Sequence, residues 1–153
     1  MGTGGALKSL NILHKAMLAG QILFSAVCCY LVYAGIISPS AKELDKILQV
    51  VAIVLSVTGV FAGMSVFKKK LLQIRDMQTG INEKFSAYRS ACIIQWALLE
   101  GPVIFIIISF FLTGNYAFPA LAIVLIFLFA LQAPSKLKIA LQLQVSEAEL
   151  EDL

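Results

Sequence analysis

One carboxylate stands where the surrounding sequence is otherwise apolar. Glu100 lies inside the run Ser90 to Leu112, which carries no other formal charge, and Arg89 marks the start of that run. At helical rise, Glu100 sits about 16 Å from Arg89, near the centre of a ~30 Å hydrocarbon core. An acid at that depth is costly unless it is protonated, paired or hydrated, so it is a functional candidate by default. Low dielectric favours its neutral form. No Lys or Arg shares its depth in this chain. Three chemistries are open: a neutral, hydrogen-bonded structural acid, a proton or sodium site, or half of an ion pair completed by another subunit.

Other polar residues fall at matching distances from basic ones. Ser25 is ten residues after Lys15, Thr58 is ten before Lys68, and Glu100 is eleven after Arg89. If those basic residues share one membrane boundary, all three lie about 15–16 Å deep. Gln21 and Gln95, each six residues from its anchor, form a second level about 9 Å in. Thr58 joins Glu100 as a candidate ion ligand, and Gln21, Ser25 and Gln95 are expected to form a polar core. Such interhelical hydrogen bonds contribute about 0.6–2 kcal/mol each. Gly59 and Gly63, with Ala62 beside them, make a small-residue stripe that lets a neighbouring backbone approach closely. With the third span as its partner, that stripe sets Glu100 against Thr58 and Gly59. Gly101-Pro102 follows Glu100 and is expected to break the helix, because proline removes the donor that the Leu98 carbonyl would use. The freed carbonyl either joins the carboxyl in an oxygen cluster or marks a plain packing kink.

These residues need long apolar helices to position them, and the composition supplies them. The chain has 153 residues, 59% hydrophobic and 14% charged, with a mean hydropathy of +0.89. Four apolar runs cover residues 16–37, 47–67, 90–112 and 116–132. The first three reach the roughly 20 residues a spanning helix needs, and the fourth crosses only with little tilt. The expected fold is therefore all-α: one integral membrane bundle of four transmembrane helices over residues 16–133. Residues 1–15 are a lead-in whose Lys8, His14 and Lys15 snorkel to headgroups, and residues 134–153 form an amphipathic and acidic tail. The net charge of +3 is a topology signal, not a sign of nucleic-acid binding. Lys and Arg concentrate in the N-terminus, the 68–89 segment and the C-terminus, which places both termini and that segment in the cytoplasm. The expected location is a bacterial inner membrane, with the lipid bilayer as an obligatory partner.

Leu71, Ile74 and Met77 continue the helical stripe past Lys68-Lys69-Lys70, and Ile81, Phe85, Tyr88 and Cys92 resume it. Spans two and three therefore read as a long helical hairpin turning at Thr79-Gly80. Ser40 with Glu43, which would start the second helix early, and Ser146 with Glu149, which would open a short acidic last helix, have capping-box spacing. The uniformly apolar fourth span is expected to face lipid. Residues 137–145 fit either a strand or a surface helix. The three cysteines and one histidine lack metal-ligand spacing. Without a nucleophile set, paired carboxylates or a phosphate loop, an enzyme is not expected, nor is a cofactor.

The stretch Ala97-Leu98-Leu99-Glu100-Gly101-Pro102-Val103-Ile104-Phe105 resembles the carboxylate helix of the rotor-ring proteolipid of rotary ATP synthases. The resemblance covers Leu48 to Leu112. It implies Glu100 as the carrier of a proton or sodium ion, with Thr58, Gly59 and Gly63 on the packing helix. The sequence departs from the family in its sparse glycines, in lacking Arg-Gln-Pro in the loop, and in its two additional spans. It is also similar in general character to small bacterial inner-membrane proteins. The expected function is a non-enzymatic subunit or accessory of a membrane complex, through membrane-protein partners or self-association. Ion translocation through Glu100 is the alternative.

Overall fold

The computed structural model describes residues 5–147 and 149–150. The elements are α1 (Gly5–Tyr33), a 3-10 turn (Lys42–Leu44), α2 (Asp45–Asp76), α3 (Ile81–Thr113), α4 (Ala117–Ala130) and α5 (Lys136–Leu143), with no strand among the described residues. Three helical segments are long and apolar enough to cross a membrane: Gly5–Tyr33, Lys42–Asp76 and Ile81–Thr113. The 14 residues of α4 span only about 21 Å, short of a ~30 Å core.

α2 and α3 form the long hairpin, reversing over residues 77–80. Its seam is set by small side chains. The mid-helix residues that α2 buries are Ala52, Ser56, Gly59 and Gly63, at alternating steps of four and three that keep them on one face. Ser56 is satisfied locally, its hydroxyl donating to the Ala52 carbonyl at 2.6 Å. The stripe continues beyond Gly63 as the large side chains Leu71 and Ile74, so the hairpin is closest at its middle.

α3 is the central helix. It buries Trp96, Leu99, Val103, Ile106, Ile107 and Phe110 along its length. It runs unbroken through Pro102, where the sequence suggests a break. Its neighbours on both sides hold the segment helical despite the missing amide bond. α4 lays Phe118, Ala122, Leu125 and Phe129 on α3 and leaves Ile123, Val124 and Phe127 exposed. It is therefore a packed helix with one outward face, not one that faces lipid all round. α1 contributes a thinner seam of Leu10, His14, Gln21 and Cys28.

Other departures from the sequence reading have local causes. The lead-in is not separate, because α1 starts at Gly5; residues 1–4 lie outside the described residues. His14 does not snorkel but is 1% exposed inside the bundle. Ser40 and Glu43 form no capping box: the 3-10 turn follows Ala41 without a side-chain cap. There the Ala41 amide donates to the Leu112 carbonyl at 3.0 Å, pinning the loop to the end of α3. Ser146 and Glu149 do make reciprocal bonds, with both Ser146 donors reaching Glu149 Oε2 at 2.7 and 2.9 Å. They close a turn there, and the expected last helix runs into residues 151–153, outside the described residues. Residues 136–143 settle as a helix because Ser135 caps it, accepting from the Lys138 amide, and because Ile139, Ala140 and Leu143 pack inward. Arg75 Nε donates to the Gln142 carbonyl at 2.7 Å and Tyr88 OH to Gln142 Oε1 at 2.6 Å, fastening α5 to the hairpin.

The opposite end is tied by a polar knot. Asn115 Nδ2 donates to both Asp45 oxygens at 2.8 and 3.0 Å, and Gln49 Nε2 to Oδ2 at 2.9 Å. Asn115 Oδ1 accepts from the Ala117 amide at 2.9 Å, so one side chain joins the starts of α2 and α4. Asn115→Ala is expected to lower stability in detergent micelles by about 1.5–3 kcal/mol, the scale of hydrogen bonds to charged groups. Denaturant unfolding of the two proteins under identical conditions checks this, and unchanged unfolding would show that the knot contributes nothing.

Candidate functional site

α3 carries Glu100 on a face that α2 does not touch. A Cβ built on Gly59 would lie 2.6 Å from the Leu98 carbonyl oxygen and 2.8 Å from Pro102 Cγ. Leu98 and Pro102 therefore face α2. Glu100, two residues from each, is about 160° around the helix from both. Trp96 and Ile107, four residues before and seven after, lie within about 40° of Glu100, and both are buried. Ile104, four residues after it, is 41% exposed. Glu100 thus occupies the edge of the stripe that meets α1 and α4, half-buried. Among the described residues its carboxyl has no hydrogen-bond or ion-pair partner.

Thr58 is not its neighbour. It is exposed on α2, while Gly59 makes the contact with α3. The freed Leu98 carbonyl is covered by Gly59, not joined to the carboxyl. Gly101 is exposed and nothing lies within 4 Å of where its Cβ would be. Pro102 is the half-buried packing surface against Gly59. Gly63 sits one turn on, where a Cβ would be 3.4 Å from the Gln95 carbonyl.

The axial register comes from an aromatic cluster that the sequence reading missed. The His14 ring stacks on Phe129 (centroids 4.7 Å apart, 11° between planes) and meets Trp96 edge-on at 4.8 Å. Its Nε2 is 3.1 Å from the Phe129 carbonyl. That oxygen can only accept, so Nε2 carries a proton. With His14 level with Trp96 on two helices running in the same direction, Gln21 lies level with about residue 103 and Leu18 with about residue 100. Ser25 then falls about 10 Å beyond Glu100, and Gln21 about 12 Å beyond Gln95. Ser25 and Gln21 therefore leave the levels expected for them, whereas the contact of Gly59 with Leu98 and Pro102 keeps Thr58 near the level of Glu100. The cause is Lys15, which sits well inside the plane of Arg89, so the two residues are not a common ruler. Lys15 and Gln21 are equally close in level to Glu100, each about 4–5 Å along the axis, but Lys15 is exposed and Gln21 is buried.

Gln21 is 3% exposed, and both its amide nitrogen and oxygen are buried without partners; the Ser25 hydroxyl is in the same condition. Gln21 lies between the two apolar clusters of the core. One contains Leu10, Trp96 and Phe129, the other Cys28, Val103 and Phe118. Each buried polar group without a partner costs about 1–3 kcal/mol. Gln21 is thus unsatisfied near the level of an unpartnered acid, while Ser25 borders Ile123, Ile126 and Phe127 of α4. The seam between α1 and α3 is suited to hydrogen-bonding a polar group from outside the chain.

No family model, curated protein or solved structure matches this chain. Its function rests on the geometry alone.

Sequence reasoning also passed over His14 as a core residue, although Leu10, His14, Gln21 and Cys28 recur on one helical face. Asp45 and Asn115, 70 residues apart, left no local signal.

Proposed function

We propose that the chain is a non-enzymatic integral membrane protein that serves as a small subunit or accessory of a membrane complex. Its partner completes the polar seam at Glu100. The observation that carries this reading is a half-buried carboxyl without a partner, on the face of α3 turned away from its hairpin mate. Gln21, unsatisfied about 4–5 Å along the axis, extends the same demand. The membrane is a bacterial inner membrane, crossed by α1, α2, α3 and, with its flanking residues, α4. Both termini and the hairpin tip are cytoplasmic, because Lys68, Lys69, Lys70, Arg75, Lys84 and Arg89 cluster at the tip.

Two substitutions test the role of the acid. Glu100→Gln keeps shape and hydrogen-bonding capacity, so it is expected to leave the mass of the gently solubilised assembly unchanged. Glu100→Leu removes the polar group and is expected to release the partner. Intact assembly in both, with loss of ion flux in vesicles, would sink the reading.

Proton or sodium translocation through Glu100 is the second reading, favoured by the same exposure of an unpartnered acid. It requires ligands other than Thr58, which lies on a different face of the bundle. It also requires that a hydrophobic carbodiimide modify Glu100 in a pH-dependent way between about pH 5 and 9.

A further inference from the structure

A second site lies at the basic end of the hairpin, nearer its tip than Glu100. α2, α3, the α4–α5 connection and α5 enclose an open cleft of about 460 Å³. Its wall toward the middle of the helices is apolar, with Phe61 and Met64 of α2 exposed by 68% and 57%. Its other end carries Lys68 of α2 and Lys138 of α5, with no carboxylate among the described lining residues. Lys68 is about 10 Å along α2 from Phe61, so charge and apolar surface are arranged along one axis.

Lys138 is half-buried, and among the described residues its Nζ reaches only the Leu131 carbonyl, at 3.4 Å. Desolvation holds its ammonium below the ordinary lysine range, with neighbouring Cys92 opposing that shift. A partly buried cation without a counter-ion is costly, and an anion entering the cleft relieves that cost. Gln132, between α4 and α5, adds a buried side-chain oxygen with no hydrogen-bond partner. That oxygen accepts a hydrogen bond from a hydroxyl. The cleft therefore offers two cations, one acceptor and an apolar trough open to the surface of α2.

The geometry points to a binding site for one anionic glycerophospholipid with a hydroxyl-bearing headgroup, its phosphate between Lys68 and Lys138 and an acyl chain along Phe61 and Met64. The amphiphile's polarity matches the cleft's: the phosphate stays at the basic boundary and the chain runs toward the bilayer centre. Lysine binds phosphate as a point charge, and here the second cation and the trough supply orientation. A neutral-headgroup lipid fills the trough but leaves both ammonium groups uncompensated. This site is independent of the role of Glu100.

Native mass spectrometry of the full-length protein, exchanged against phosphatidylglycerol and phosphatidylcholine of identical chains, tests the site. The protein is expected to retain phosphatidylglycerol preferentially. Lys68→Gln and Lys138→Gln are each expected to reduce that retention by about five-fold, the scale of one lysine against an anionic lipid. Lys138→Arg is expected to keep it, which separates loss of charge from loss of fold. Lys69→Gln, outside the cleft, is expected to have no effect, and Met64→Trp to lower retention of both lipids by filling the trough. Equal losses from Lys69→Gln and Lys68→Gln would reduce the effect to the general basic boundary and overturn the site. So would equal retention of the two lipids. Displacement of phosphatidylglycerol by glycerol phosphate at the same concentration would identify a soluble-phosphate site instead, and would overturn the lipid assignment.

Discussion

Gly59→Ala is expected to separate the central hairpin, whereas Gly63→Ala leaves it closed. The two residues lie on one stripe of α2, one turn apart, but they meet different obstacles. At Gly59 an added methyl collides with the Leu98 carbonyl at 2.6 Å and with the Pro102 ring at 2.8 Å. Neither can swing aside, because one is helix backbone and the other a ring fixed to it. The helices must move apart or the side chains of the seam must leave their rotamers, and overpacking of that kind costs about 1–3 kcal/mol. The collision also falls on a carbonyl that Pro102 leaves without its amide donor. At Gly63 the nearest atom is 3.4 Å away, an ordinary contact. Gly→Ala in a helix gains about 1 kcal/mol of propensity, so Gly63→Ala is expected to be neutral or mildly stabilising. Denaturant unfolding in micelles, with cysteine cross-linking across the seam, distinguishes them. Equal behaviour of the two variants would mean that the seam tolerates a methyl and that Gly59 is not its closest point.

That asymmetry shows what the sequence could and could not convey. The long apolar runs, the turn near Gly80 and the Gly59–Gly63 stripe were legible because each depends on local composition or spacing. The face on which Glu100 sits was not, because α3 is apolar nearly all the way round and offers no periodicity to read. The arbiter was steric: small residues on α2 drew Leu98 and Pro102 toward them and turned Glu100 away. The depth scale failed for α1 for a related reason. Counting inward from Lys15, Lys68 and Arg89 assumes that each basic residue marks the same plane, and α1 is displaced along its axis relative to the hairpin. Lys8, not Lys15, is level with the start of the Arg89 region once His14 is placed opposite Trp96. Gln21 was identified as polar core, but its unsatisfied amide appears only when neighbouring helices are in place. The knot of Asp45 and Asn115 joins loops from opposite halves of the sequence, where no spacing rule reaches.

His14 holds that register, and its removal is expected to have the other large effect. The imidazole is fully enclosed between Trp96 and Phe129, making one hydrogen bond to the Phe129 carbonyl. His14→Ala removes both ring contacts and leaves a void, and by analogy with other buried aromatic-to-alanine changes the loss is about 3–5 kcal/mol. His14→Phe fills the space without the hydrogen bond. The Phe129 carbonyl keeps its other donor, the Gln132 amide at 3.0 Å, so the loss is expected to be about 0.5–1.5 kcal/mol. Equal destabilisation by Ala and Phe would mean that the hydrogen bond, not the ring, secures α1. A second readout connects this packing to function. α1 makes fewer contacts with the bundle than α2 and α3 make with each other, and the seam it covers contains Glu100 and Gln21. Freed from Trp96 and Phe129, α1 no longer shields that edge of α3. Carbodiimide labelling of Glu100 should then become faster in His14→Ala than in His14→Phe. Identical labelling in the two variants would place the access route to Glu100 away from α1, and would transfer the partner's docking face to the outward side of α3 around Ile104.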